Sequence, residues 1–363
     1  MSVKRIEKSQ KFGYSVVLEE DESGNKYKAF LSDNANYIFD LQTGDMMTWG
    51  SRPSEDAERF PAPNILDLEI STICNKKCQF CYKSNNPNGE LMSFETFKKI
   101  IDVIPKSITQ VAIGADYSMT SNPDIENMFS YLRKNNIVPN ITVGYLDDAH
   151  ADIVSKYCGA CAVSVYEPKD ACYDTVERLT ERGMKQVNLH FMLAEETYDK
   201  CLEVLDDIKN DPRLEGVRAL VILSLKKKGR GTGYHPVSQE QFSTIVKKAG
   251  EIGISLGFDS CSSLKAYRAL DPEVRKYIIP CEASTESSYI DVHGNYYPCS
   301  FMEGFKDDKL DWSKGISVLE CKSTDEFIEK VWNNPKTLLF KDILMSTCKD
   351  NCENCKHCPA YEV

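Results

Sequence analysis

The stretch Ile65-Leu66-Asp67-Leu68-Glu69-Ile70, followed at once by Cys74-Asn75-Lys76-Lys77-Cys78-Gln79-Phe80-Cys81, decides how the rest of the chain is read. The first segment is an apolar run of strand length, and the second is a loop that carries three thiols. A short loop can curl three thiolates around one centre. A disulfide uses only two, and a closed structural zinc site takes four, usually as paired Cys-x2-Cys clips. Iron–sulfur clusters are held by thiolates, and three protein ligands on four irons leave one iron open to a further ligand. The spacing Cys-x3-Cys-x2-Cys at Cys74, Cys78 and Cys81 therefore predicts a reactive metal site, with a zinc knuckle or three structural thiols as the alternative.

From Ile65 onward, apolar runs of strand length alternate with segments of helical period, which is the pattern of parallel βα units. The strand candidates are 66–70, 110–113, 140–143, 160–165, 187–193, 217–223 and 255–258, and the helix candidates are 93–103, 123–134, 149–157, 172–182, 195–209 and 238–252. Ser93 is a good N-cap for the first helix, and Gly183 is placed to end the fourth. Six or seven units are too few to close an eight-stranded barrel, so the expected fold class is α/β, a partial (βα)6 barrel with its site at the C-terminal ends of the strands. The cysteine loop sits at the end of the first strand, where such a site belongs.

The matched residues Cys74, Cys78, Phe80 and Cys81 resemble the Cys-x3-Cys-x-aromatic-Cys signature of the radical S-adenosylmethionine (SAM) enzymes, whose architecture is also a partial (βα)6 barrel. The resemblance implies a 4Fe-4S cluster on the three cysteines, SAM on the open iron, and Phe80 beside the adenine. It covers about residues 62 to 260, with the triad as its specific motif. The family's Gly-Gly-Glu after the second strand, which receives the SAM ammonium, is replaced by Gly114-Ala115-Asp116. Asp116 keeps the charge but reaches one methylene less, and its other reading is a cap on the following segment. Thr142, Ser164, Asn188 and His190 lie at or near strand ends. Asn188 and His190 alternate along one strand and so share a face. The resemblance makes these four candidates for SAM's ribose or carboxylate; buried polar groups satisfied by their neighbours are the alternative.

The remaining segments flank this barrel. Residues 14–50 carry short alternating runs broken by Ser23-Gly24-Asn25 and Thr43-Gly44-Asp45, which are hairpin signals. They predict a small N-terminal sheet packed on the barrel, because a few strands alone bury too little to be stable. A peptide-binding edge is the second reading of that sheet. Residues 51–63 read as an extended connector. Lys226-Lys227-Lys228-Gly229-Arg230 is a basic cluster, read as a solvated loop rather than as a partner for an anionic substrate or SAM's carboxylate. Gly229-Arg230-Gly231-Thr232-Gly233 reads as a flexible turn at the rim.

Cysteines return after Pro280. Cys281, Gly294 and Cys299 give Cys-x12-Gly-x4-Cys around a hairpin at 291–297, and Cys348, Cys352, Cys355 and Cys358 crowd the end of the chain. This tail is similar to the SPASM and twitch extensions of radical SAM enzymes, with the later spacing compressed. The similarity implies at least one auxiliary 4Fe-4S cluster on Cys281, Cys299 and two tail cysteines, with Cys355 and Cys358 preferred. A tail-only zinc site is the alternative. Cys321 is a further candidate ligand. Cys158, Cys161, Cys172, Cys201 and Cys261 read as small buried apolar residues, with Cys261 close enough to a strand end to line a substrate site. The expected domains are 1–60, 61–260 and 261–363.

A net charge of -11 argues against general nucleic-acid binding, which needs a concentrated basic surface. No apolar run is long enough to cross a membrane. The charged N-terminus shows no apolar signal region, so the expectation is a cytoplasmic protein whose 15 cysteines stay reduced. The resemblance implies reductive cleavage of SAM to a 5'-deoxyadenosyl radical, with an electron from a flavodoxin or ferredoxin, and hydrogen abstraction from substrate. Modification of a ribosomal peptide or protein is the first expectation for that substrate. A dehydrogenase or rearrangement enzyme on a sugar, nucleoside or other small molecule is the second, and a non-catalytic metal-binding or adaptor protein the third.

Overall fold

A computed structural model describes residues 2–57, 59–347 and 358–361. Five antiparallel strands open the chain, β1 (Ser2–Ser9), β2 (Tyr14–Glu20), β3 (Lys26–Ser32), β4 (Asn36–Asp40) and β5 (Met46–Trp49), in that spatial order. Their buried face stacks Tyr14 on Phe30 at 5.0 Å and Phe30 on Tyr37 at 5.4 Å, with Phe60 from the connector against both Phe30 and Tyr37. The fully buried Lys28 ammonium donates to the Ile108 carbonyl at 2.6 Å, and the Tyr37 hydroxyl donates to that of Ser107. Both acceptors lie just before the barrel's second strand. The sheet therefore packs on the end of the barrel opposite the cysteine loop. Burial, with Lys106 adding to it, pushes the Lys28 ammonium down to about 7.

The seven expected barrel strands all form: β6 (Ile65–Glu69), β7 (Gln110–Gly114), β8 (Val138–Val143), β9 (Ala160–Ser164), β10 (Val187–Leu193), β11 (Ala219–Ser224) and β12 (Leu256–Phe258). The helices between them are α1 (Phe94–Val103), α2 (Ile125–Lys134), α3 (Asp148–Tyr157), α4 (Asp170–Glu181), α5 (Tyr198–Asn210) and α6 (Gln239–Ile252), with α7 (Ser263–Ala269) after β12. Local signals set their ends. Ser93 accepts from the Thr96 amide at 3.1 Å, and Ser238 with Gln241 forms a reciprocal cap on α6. Gly183, at φ +81°, lies just past α4.

Among the described residues the barrel strands belong to a ten-stranded sheet in the order β12-β11-β10-β9-β8-β7-β6-β13-β14-β17. The last three, β13 (Ser287–Ile290), β14 (Asn295–Tyr297) and β17 (Ile316–Ser317), come from the tail, with the small hairpin β15 (Phe305–Lys306) and β16 (Asp311–Trp312) beside them. β13 runs parallel to β6 and sets Tyr289 opposite Asp67. The sheet thus runs on from the barrel into the cysteine-rich segment. After it come the short helix α8 (Thr324–Phe327) and α9 (Pro335–Thr347).

Side-chain alternation assigns the two faces. Leu66 and Leu68 are buried on the face that meets the helices, which leaves Asp67 and Glu69 on the inner face. Across the sheet, Ala112 pairs with Asn140, Ala162 with Asn188 and Ser164 with His190. Asn140 Nδ2 donates to Gln110 Oε1 at 2.8 Å, which confirms the shared inner face. Small and polar residues on that face leave room inside the barrel and give it hydrogen-bonding capacity.

Candidate functional site

The cysteine loop is held from across the barrel mouth by the turn that follows β11. Arg230 donates from its backbone N–H to the Cys81 carbonyl at 3.0 Å, from Nε to the Cys78 carbonyl at 2.8 Å and from Nη1 to the Asn85 carbonyl at 3.2 Å. Gly229 stands at φ +57°, and a Cβ there would lie 2.4 Å from the Tyr82 carbonyl oxygen and 2.6 Å from that of Cys81. Only glycine permits that approach. The glycine run is therefore a lock on the cysteine loop, which corrects its reading as a flexible rim. The basic cluster is corrected too. Lys228 Nζ donates to the carbonyls of Ser300, Phe301 and Glu303 at 3.2, 3.2 and 2.7 Å, and the buried Lys226 ammonium pairs with Asp259. Neither is a solvated charge.

Aromatic rings enclose the loop. Phe80 stacks on Tyr166 at 6.0 Å with the ring planes 10° apart, and meets Tyr234 edge-on at 6.1 Å. Tyr117 closes on Tyr166 at 5.6 Å, and the Lys76 ammonium lies 4.7 Å over the Tyr117 ring. Gly144 makes this possible, since a Cβ there would fall 2.1 Å from Tyr117 Cε2. The Cys78 thiol is pushed up, first by burial and then by the fields of Cys81 and Cys74.

Asp116 is committed to its own turn. Its Oδ1 accepts from the Ser121 amide at 2.9 Å and the Ser121 hydroxyl at 2.6 Å, while Oδ2 accepts from the Ser118 amide at 3.2 Å and hydroxyl at 3.0 Å. Burial pushes this carboxyl up, but hydrogen bonds from Ser121 and Ser118 outweigh it and hold it below the usual range. The capping alternative thus describes what Asp116 does here. Gly114 and Ala115 precede that turn at the mouth, and Gly114 pairs with Glu69 across the sheet. Thr142, Asn188, Ser164 and His190 share the inner face, with Ser164 hydrogen-bonded to Tyr166. Burial lowers the His190 imidazole to about 4, so it is neutral at pH 7.

In the tail, Cys299 lies just past β14. The amides of Phe301 and Met302 hydrogen-bond its sulfur, and Cys358 lies within its field; burial, the largest influence, raises this thiol to about 11. Tyr361, near Cys358, donates to the Phe301 carbonyl at 3.1 Å. Cys348, Cys352 and Cys355 lie outside the described residues. Cys321 is buried, and the charged groups that act on it among the described residues are Lys330, Glu326 and Glu320. Cys158, Cys161, Cys172 and Cys201 are buried in the core as apolar residues. Among the described residues no three Cys, His, Asp or Glu side chains are drawn together tightly enough to hold a metal ion as they stand.

Several groups at this site escaped the sequence reading. Lys83 lies between the Glu69 carboxylate, 3.1 Å away, and that of Glu303, and donates to the Tyr289 hydroxyl at 2.8 Å, which itself donates to Glu69 at 3.0 Å. Burial raises the Glu69 carboxyl, and Lys83 opposes the rise. Tyr82 packs on Phe301 at 4.3 Å. These contacts join the triad loop to the loop after Cys299. Tyr166 had one usable signal, an aromatic residue just past a barrel strand.

No family model matches the chain. The antilisterial bacteriocin subtilosin biosynthesis protein AlbA of Bacillus subtilis is 21% identical over 316 residues, which span 78% of this chain and 65% of AlbA. The chain thus matches less than two thirds of that relative's length. Among solved structures, SuiB of Streptococcus suis superposes with a TM-score of 0.60 at 13% identity, covering 88% of this chain and 90% of SuiB. SuiB bound to the precursor peptide SuiA gives 0.59 at 12% identity, covering 85% and 89%. SuiB bound to S-adenosylmethionine gives 0.57 at 16% identity, covering 76% and 68%. The chain shares the fold of SuiB.

Within that fold the residues present suit a thiolate-held cluster and an anionic ligand beside it. One loop carries three thiols, with Cys81 and Cys74 acting on Cys78, and the buried Nη2 of Arg230 has no hydrogen-bond partner among the described residues. A buried guanidinium N–H left unpaired is costly unless an acceptor arrives.

Proposed function

We propose that the chain is a radical SAM enzyme that modifies a ribosomally made peptide. The observation that carries this reading is the Cys74–Cys81 loop, locked at the barrel mouth by Gly229 and Arg230, whose buried Nη2 has no hydrogen-bond partner among the described residues. Cys74, Cys78 and Cys81 would hold a 4Fe-4S cluster, with SAM between Phe80 and the ends of β7 to β10. The cluster and SAM, when bound, supply a 5'-deoxyadenosyl radical able to take a hydrogen from an unactivated carbon. The protein's share of the work is binding, orientation and exclusion of water.

Each residue then has a task. Arg230 Nη2 offers a charge-assisted hydrogen bond to the SAM carboxylate. The strip Gly114-Ala115 offers its backbone to the ammonium, and Asp116 supports that strip from behind. Phe80, backed by Tyr166, offers an aromatic face to the adenine. Thr142, Ser164, Asn188 and the neutral His190 line the chamber and orient ribose or substrate. An electron from a flavodoxin- or ferredoxin-type donor would enter through the triad, and the reduced thiols fit a cytoplasmic setting. The tail would hold an auxiliary 4Fe-4S cluster.

Support for a peptide substrate comes from the relatives. AlbA is a bacteriocin biosynthesis protein, and SuiB has been seen with its precursor peptide. The test is anaerobic incubation of the iron-loaded protein with SAM, dithionite and a short peptide encoded beside this chain's gene, followed by mass spectrometry of the peptide. A SAM-dependent mass change on the peptide is expected. Turnover of a sugar or nucleoside with no peptide present would overturn the peptide reading and leave the small-molecule one.

A further inference from the structure

A closed barrel would pair its last strand with another, but among the described residues β12 ends the ten-stranded sheet with one side unpaired. The Ser255 carbonyl accepts from the Leu220 amide at 3.0 Å, and the Asp259 amide donates to the Ile222 carbonyl at 3.1 Å, so alternate residues from 255 to 259 face β11. Leu256 and Phe258 therefore turn their amides and carbonyls to the open edge, where they meet no main-chain partner among the described residues. Beside that edge runs a groove of about 950 Å³, walled by α6, α7 and residues 270–282. Val246 of α6, Ala266 of α7 and Phe258 of β12 give it apolar sides, and on the 270–282 side Val274, Tyr277 and Ile279 are exposed. An unpaired edge bordered by exposed apolar side chains is a ready template for another chain segment. Two carboxylates, Asp271 and Glu282, also line the groove, and neither side chain has a hydrogen-bond or ion-pair partner among the described residues. The groups acting on Glu282 are themselves acidic, Glu286 and Asp67. Lys247, on the same lining, is turned to Glu251 at 3.9 Å.

We propose that this groove takes an extended segment of the peptide substrate, which adds to the sheet as a strand at the β12 edge and sets a lysine or arginine side chain against Asp271 and Glu282. This deepens the peptide-modifying reading and rests on it. A strand pairs the open main-chain groups of Leu256 and Phe258, which a helix or an apolar small molecule would leave unpaired. A basic side chain complements the two carboxylates. The pairing bears on the chemistry as well. Phe258 packs outward on Phe242 of α6 at 5.5 Å, whereas Gly257 faces the chamber beside Val221, the inner-face neighbour of His190. Side chains of an added strand alternate in the same way, into the groove and into the barrel. The register of the peptide on β12 thus selects which of its residues face the chamber.

The test uses the full chain, reconstituted anaerobically, with the short peptide encoded beside its gene as the probe. Hydrogen–deuterium exchange read by mass spectrometry should slow about tenfold or more over residues 255–259 when the peptide is added. Two versions of the peptide, N-methylated at alternate residues in the two possible registers, separate strand pairing from apolar contact because both keep every side chain. One version loses the bonds to β12 and should bind about tenfold more weakly, while the other should bind like the parent. Asp271→Lys, at an exposed position, should weaken binding about fivefold, and the difference should shrink as salt is added. Binding with unchanged exchange at 255–259, equal binding by the two methylated peptides, or full affinity in Asp271→Lys would overturn the groove assignment and leave the peptide reading in place. Slowed exchange at 255–259 that follows protein concentration with no peptide present would give the edge to a second copy of the chain and overturn the assignment too. A peptide that the loaded chain neither binds nor modifies would overturn the peptide reading itself.

Discussion

Arg230 donates from Nε to the carbonyl of Cys78 at 2.8 Å, so a residue of the sixth βα loop fixes the backbone of the first. The two lie far apart in the chain, yet the guanidinium spends two nitrogens on that loop and keeps Nη2 buried, with no hydrogen-bond partner among the described residues. Replacement by lysine removes the fork while keeping the charge and the backbone bond to Cys81. Arg230→Lys should retain the triad's iron and weaken SAM binding about tenfold, as expected for one charged hydrogen bond. Equilibrium dialysis against labelled SAM measures this.

Gly229→Ala tests the lock from the steric side. The backbone stands at φ +57°, and the added methyl would press on the carbonyls of Cys81 and Tyr82. A destabilisation of about 1–3 kcal/mol is expected from the strained conformation, before the clash is counted. Thermal unfolding should show it, together with reduced iron on the triad. Gly233→Ala, where nothing lies within 4 Å, should do neither.

Asp116 should behave as a structural carboxylate. Its folded pKa is depressed, so its contribution is present above the ordinary carboxylate value and is lost as pH falls through the folded one. Asp116→Ala should therefore lower stability at pH 7 by about 1–2 kcal/mol. The difference from wild type should shrink as the pH drops below about 4. Denaturant melts across that range check it.

Lys28 gives the opposite sign. Its folded pKa, about 7, lies below that of the unfolded chain, so the unfolded state binds more protons between the two values and stability rises with pH there. Between pH 7 and pH 9 this group should contribute on the order of 2 kcal/mol of added stability. Lys28→Met should abolish that slope and be most stabilising, relative to wild type, at pH 7 and below. Urea midpoints at pH 6, 7 and 9 measure it.

The strands and helices of the barrel were legible because their signals are local. Alternation marked β6 to β12, Ser93 capped α1 and Gly183 followed α4, each within a few residues of its effect. The triad announced itself by spacing. What could not be read was anything joining distant segments: the parallel pairing of β13 with β6, the stack of Phe80 on Tyr166, or the grip of Lys228 on the loop after Cys299. Each depends on how the sheet curves, which no window of sequence carries. The basic cluster at 226–230 misled for the same reason. Charge runs are usually solvated, and only the converging carbonyls and Asp259 make this one internal.

The most direct test of the central claim is 5'-deoxyadenosine formation by the anaerobically reconstituted chain with SAM and dithionite, set beside the Cys74→Ala/Cys78→Ala/Cys81→Ala variant. The account predicts 5'-deoxyadenosine from the intact chain and none from the variant, with the variant short by about four irons. An intact chain carrying its full iron that yields no 5'-deoxyadenosine, with or without peptide, or a variant that yields as much as the intact chain, would contradict it.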